Sequence, residues 1–132
     1  MLQSEILQIR SSEQVVEVRQ AVRSRAADLG LSLVDQTRIV TAASELARNT
    51  LHHGGGGTMK LEILNNGNRR GLRLTFEDQG PGIPDLALAL KDGYSTTGGL
   101  GLGLSGSRRL VNEFSISSNP SEGTRVTVTK WK

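Results

Sequence analysis

Apolar positions along the chain fall into two periods, and each period names an element. Val15, Val18, Val22, Ala26 and Leu29 recur at spacings of three and four, the mark of one apolar stripe on a helix. Ser12 with Glu13 behind it reads as the start of that helix, and Gly30 stops it. A second stripe, Ile39, Ala43, Leu46, Ala47 and Thr50, predicts a helix from near Asp35 to His52-His53-Gly54, with glycine as the left-handed cap. The run 54–57 is all glycine and reads as a mobile loop. Residues 58–64 and 71–78 alternate with period two around an Asn65-Asn66-Gly67-Asn68 turn, which predicts a hairpin. Residues 101–112 read as a third helix, 4–10 as a short strand, and 114–118 and 123–131 as two further strands. One helical turn is expected at 85–90, inside the otherwise irregular stretch 79–97.

The order is therefore β-α-α-β-β-α-β-β. It predicts an α+β fold, a two-layer sandwich in which helices cover one face of a mixed, mostly antiparallel sheet. At 132 residues the chain is expected to form a single domain spanning 1–132. Strand parity adds a direction. Leu72, Leu74 and Phe76 share a face with Asp78, and Val126 and Val128 share one with Thr124, so Asp78 and Thr124 are expected on the helix side.

Composition removes several alternatives. The absence of cysteine excludes a disulfide framework, a thiolate metal site and a cysteine nucleophile, and agrees with a reducing, cytoplasmic setting. The net charge of +3 is too small, and the 3% aromatic content too low, to suggest a nucleic-acid binder. Residues 1–10 are not expected to act as a signal peptide, and no apolar run in the sequence is long enough for a membrane span. Glycine stands out: eleven of the 16 lie at 54–57, at 80 and 82, and at 98–106.

Three polar clusters are candidates for chemistry. Glu45 and Asn49 stand one helical turn apart and, on a helical wheel, away from the apolar stripe. Taken alone, a wet helix face is the more ordinary reading of the pair, but an Asn amide oxygen suits Mg²⁺ and a Glu can serve as a base. Asp78-Gln79-Gly80-Pro81-Gly82 ends a strand. An Asx-type turn is its ordinary reading; a carboxylate turned toward the core needs a donor, and a purine amine is one. Gly98-Gly99-Leu100-Gly101-Leu102-Gly103 precedes a helix, as either a flexible loop or an anion site. It fits neither a Walker A loop nor a dinucleotide fingerprint. The two histidines lack a third ligand at metal spacing.

In this order the clusters resemble the GHKL ATPase/kinase superfamily, over nearly the whole chain. Ser44-Glu45-Leu46-Ala47-Arg48-Asn49 is similar to its N box and Glu77-Asp78-Gln79-Gly80-Pro81-Gly82-Ile83 to its first glycine box. Gly99-Leu100-Gly101-Leu102-Gly103-Leu104 resembles the second, and Gly123-Thr124 the closing Gly-Thr. The short chain, and residues 92–101, resemble the serine/threonine kinases of bacterial partner switching, in their stress-signalling branch.

The resemblance implies the Bergerat ATP-binding fold, with ATP and Mg²⁺ as cofactors. Asp78 would accept from the adenine amine with Thr124 close by, Asn49 would hold Mg²⁺, and Glu45 would be the catalytic base. Gly80 and Gly82 would lie against the ring, Gly99, Gly101 and Gly103 would wrap the phosphates, and residues 85–100 would form a lid. Several relatives carry a lid Arg where this chain has Gly98-Gly99; Lys91 and Arg48 are candidate substitutes, and the sequence places neither of them. The implied substrates are STAS-domain proteins of a stressosome-type complex, and the implied partner of the released kinase is a PP2C-type phosphatase. The alternative is a nucleotide-gated anti-sigma factor or partner-binding module with weak kinase activity, which would hold a sigma factor or switch on a phosphatase. Neither reading calls for nucleic acid or a membrane. The open sheet face, with Arg73, Thr75, Arg125, Thr127, Thr129 and Trp131, is either a docking surface or a solvated one.

Overall fold

A computed structural model of the chain describes residues 4–80, 103–119 and 123–132. The chain enters on an edge strand, β1 (Ser4–Ile9), and passes into α1 (Ser12–Asp28). Ser11 rather than Ser12 is the cap, its Oγ accepting from the Gln14 amide at 3.3 Å. At the other end the Gly30 amide donates to Ala27 and the Leu31 amide to Ala26, with Gly30 at φ +83°. That pair of bonds is the left-handed helix stop that glycine at this position permits.

The second helix, α2 (Leu33–His52), begins two residues earlier than Asp35, because Ser32 caps it by accepting from the Asp35 amide at 3.1 Å. Asp35 sits in the first turn, where a negative charge suits the helix dipole. At its C-terminus His53 is the cap, in ordinary right-handed conformation. The left-handed residues are Gly55 and Gly56, at φ +71° and +105°. The four glycines are a tight turn rather than a loose loop: the Gly56 amide donates to Thr50, and Gly57 already belongs to β2 (Gly57–Asn66).

β3 (Arg69–Asp78) returns as a hairpin around Gly67. The short helix α3 (Gly103–Arg109), then β4 (Glu113–Asn119) and β5 (Gly123–Trp131), complete the described chain. The third helix stops at Arg109 instead of reaching 112. The Leu110 amide closes a tight turn on Ser107, and the Asn112 amide is taken by the Thr129 carbonyl of β5. The helical turn expected at 85–90, and the lid around it, lie outside the described residues.

The sheet order is β1-β2-β3-β5-β4, and every neighbouring pair is antiparallel. The expected mixed sheet is thus wholly antiparallel among the described residues. β3 and β4 do run the same way, but β5 turns back between them and separates them. One face of the sheet presents Met59, Leu61, Leu72, Leu74, Phe76, Val126 and Val128, all buried. Val18 and Val22 of α1 and Ile39, Ala43, Leu46 and Ala47 of α2 join the same core. Cross-strand register makes this a continuous layer: Phe76 lies beside Val126 and Met59, and Leu74 beside Val128 and Leu61. Truncating any of these large side chains to Ala would cost about 2–5 kcal/mol. Among the described residues no helix is long and apolar enough to cross a membrane.

Candidate functional site

The end of β3 meets the end of α2, and Asp78 stands at that meeting. Its Oδ1 accepts from the Gly80 amide at 2.9 Å and from the Thr124 amide of β5 at 3.3 Å. The first bond is an Asx turn and the second ties the acid across the sheet. Asp78 lies on the helix side, half-buried, pressed against the turn that follows α2. Glycine is required all round it. A Cβ on Gly54 would overlap the Asp78 carboxyl group, and one on Gly80 would press on the Gly54 backbone. Gly123, at φ +85°, admits no side chain past the Asp78 carbonyl. The result is an acid with one oxygen fixed, inside walls built from bare backbone. Both described bonds fall on Oδ1, so Oδ2 is the oxygen available to a further donor. Beside it, Thr124 Oγ1 shares a 2.9 Å hydrogen bond with Ser118 Oγ.

The second part of the site is on α2. Glu45 is only 1% exposed. The sequence placed it on a wet face; it is buried because α2 is covered on several sides, by α1, by α3 and by the sheet. Small residues at Ala42, Ala43 and Ala47 widen the buried face well beyond one stripe. Among the described residues Glu45 Oε1 has no hydrogen-bond partner, while Oε2 meets Arg48 Nη2 at 3.5 Å. A buried carboxylate oxygen without a donor costs several kcal/mol unless a ligand or substrate supplies one. Asn49 follows one turn along. Its carbonyl accepts from the amides of His53 and Gly54, and Gly54 is the residue packed on Asp78. A short covalent and hydrogen-bonded path thus joins the N-terminal and C-terminal halves of the site.

Glu45, Asn49, Asp78, Gly80 and Thr124 are therefore placed on α2 and on the ends of β3 and β5. Gly103 is the first residue of α3, which packs on α2. Gly82, Gly99 and Gly101 lie outside the described residues, as does Lys91. Three contributors escaped the sequence. Gly54 passed as loop, though two glycine clusters before and after a hairpin are what a close approach of backbones needs. Arg48 had no assigned place, though i,i+3 from Glu45 is contact distance on a helix. Ser118 gave no signal, since only the register of β4 against β5 brings it to Thr124.

The donor set suits an ATP-type ligand: a fixed acid with a free oxygen, glycine walls that accept a flat ring, and a hard neutral oxygen donor in the Asn49 side chain. Comparison with known proteins agrees. The family model for histidine kinase-, DNA gyrase B- and HSP90-like ATPases matches residues 34–132. The serine/threonine-protein kinase RsbT of Bacillus subtilis is 46% identical over 125 residues, covering 95% of this chain and 94% of that one. The anti-sigma F factor of Bacillus licheniformis is 30% identical over 119 residues, 85% of this chain and 80% of the other. Among solved structures, the RsbU and RsbW domains of Rv1364c from Mycobacterium tuberculosis superpose with a TM-score of 0.67 at 22% identity. The match takes in 96% of this chain and 32% of that one, and speaks for the fold. The chain belongs to the histidine kinase-, DNA gyrase B- and HSP90-like family of ATPases.

Proposed function

We propose that the chain is an ATP-dependent serine/threonine protein kinase of a partner-switching module, and that its substrate is a Ser or Thr of a STAS-domain protein. One observation carries this reading: Glu45 is buried with Oε1 bare, one turn from the Asn49 amide. An acceptor hydroxyl is a donor that would satisfy that oxygen. ATP binding alone would not call for such a group. The 46% identity to a serine/threonine kinase, over nearly all of both chains, supports the same activity.

Each residue has a role in this reading. Asp78 accepts the adenine amine through Oδ2, with Oδ1 pinned by Gly80 and Thr124. Gly80 and Gly82 would let the ring lie close, and Gly99, Gly101 and Gly103 would meet the phosphates with their amides; Gly82, Gly99 and Gly101 lie outside the described residues. Asn49 would hold Mg²⁺ by its amide oxygen, and the ion would supply charge neutralisation to the phosphates. Glu45 Oε1 takes the proton of the acceptor hydroxyl as that oxygen bonds to the γ-phosphorus and ADP leaves. Once its phosphorylated substrate lets go, the kinase binds and activates a PP2C-type phosphatase.

The test is transfer of γ-labelled phosphate from Mg²⁺-ATP to a purified STAS-domain protein. Glu45→Gln should lower kcat by about 10²–10⁴-fold and leave ATP affinity unchanged. Asp78→Asn should abolish ATP binding itself. No label transfer by the native chain would falsify the kinase reading.

The 30% identity to an anti-sigma F factor supports a second reading, in which the ATP-bound chain sequesters a sigma factor. Capture of sigma factor by the Glu45→Gln variant, in the presence of ATP, separates that role from phosphoryl transfer. Capture that requires turnover counts against it.

A further inference from the structure

Arg48 stands at i,i+3 from Glu45, with its side chain 43% exposed and Nη2 at 3.5 Å from Oε2. Among the described residues it is the cation that faces the buried carboxylate. We propose that Arg48 is a positioning residue for Glu45: it holds Oε2 so that Oε1 is presented, bare, to the acceptor hydroxyl. This deepens the kinase reading and rests on it.

The argument is electrostatic and geometric. An ionised carboxylate at 1% exposure needs a counter-charge. A guanidinium supplies one at every working pH. The contact is single and long, not a two-pronged clamp, so it engages one oxygen and leaves the other without a hydrogen bond. Both residues are anchored on one helix, so their spacing does not depend on how the rest of the cleft closes. The Arg48 side chain stays 43% exposed while Nη2 meets Glu45 Oε2, as a long side chain with its head at the surface does. A Lys can supply the same charge from a flexible stem but not the fixed direction. This placement gives Arg48 a task other than replacing a lid cation at the phosphates.

The experiment measures kcat, the KM for the STAS-domain substrate, and ATP affinity by titration, in R48Q, R48K and E45Q. R48Q should lower kcat ten- to a hundredfold with ATP affinity and the KM for the STAS-domain substrate within twofold of native. R48K, which restores the charge, should recover at least a third of the lost decades. In E45Q a neutral amide replaces the carboxylate, so adding R48Q should change the residual rate less than twofold. That double variant also removes both charges together and serves as the folding control if R48Q alone unfolds. Several results overturn the assignment. One is native kcat in R48Q. Another is a loss confined to ATP affinity or KM, which would place Arg48 on a ligand. A third is an equal loss in the E45Q background. If E45Q itself keeps native kcat, the kinase reading of Glu45 fails first, and the role of Arg48 falls with it. If E45Q is inactive and R48Q is native, only the role of Arg48 is lost.

Discussion

Two polar regions of this molecule invite opposite conclusions. The open face of the sheet is a groove of about 650 Å³ lined by charged and hydroxyl side chains, among them Lys60, Glu62, Glu77 and Arg125. Yet these groups answer one another. Glu77 pairs with Arg125 at 3.2 Å, Lys60 with Glu62 at 3.9 Å, and Trp131 Nε1 donates to Glu113 at 2.6 Å. The helix-covered end holds far fewer polar groups, but they are left incomplete: Glu45 Oε1 is buried and bare, and Asp78 is fixed by one oxygen inside a glycine wall. Volume and charge density describe the first region, while unmet hydrogen-bonding capacity describes the second. Only the second needs a ligand to be complete.

If the glycine wall is functional rather than incidental, filling it should harm binding more than folding. Gly54 is the cleanest place to try, because its backbone is not left-handed and alanine is compatible with it. The added methyl must push the Asp78 carboxyl group aside. Gly54→Ala should cost about 1–3 kcal/mol of stability, as overpacking generally does. It should weaken ATP binding by more than about tenfold, since a charged hydrogen bond to the base is misplaced. Nucleotide titration beside urea unfolding checks both. Native ATP affinity in this variant would mean that the acid does not read the base.

How far the sequence anticipated this arrangement depends on the distance over which each feature is encoded. Period two in β3 and β5 carried Asp78 and Thr124 to the helix side, because parity propagates along a strand without knowledge of its neighbours. The helices and their order were legible for the same reason. Glu45 was misjudged because a helical wheel knows one packing partner, and α2 has three. The glycine turn was misjudged because composition describes freedom in isolation, while the fold lays Gly54 against Asp78 and Gly57 in register with it. The separation of β3 from β4 by β5 was invisible locally, since strand order is decided by the whole sheet.

A buried charge far from the glycine wall sharpens the contrast from the other side. Lys130 of β5 is 7% exposed, and its Nζ meets Asp35 at 3.3 Å, near the start of α2. Unlike Glu45, which keeps Oε1 without a hydrogen bond among the described residues, its charged head is met within the protein. Its stem lies on the apolar face, level with Leu72 across the strands. Lys130→Met keeps that stem's packing and removes the charge. Asp35 remains partly exposed, keeps Arg38 at 3.4 Å and stays in the first turn of its helix. The expected loss is therefore no more than about 1 kcal/mol, with ATP affinity unchanged. Urea unfolding gives the first quantity; a loss of several kcal/mol would show that burial alone makes a charge critical here.

The smallest effect is expected where the charges are most visible. Glu77 and Arg125 face each other across β3 and β5, at side-chain exposures of 45% and 63%. Water screens such a pair, and two long side chains lose rotamer freedom to hold it. A double-mutant cycle of Glu77→Gln and Arg125→Gln should give a coupling below about 0.5 kcal/mol. It should fade further in high salt. Phosphoryl transfer measured with saturating STAS-domain substrate should stay at the native rate in all three variants. If instead the KM for that substrate rises tenfold while stability is unchanged, the open face is a docking surface after all. Satisfied charges would then also have to be counted among the functional ones.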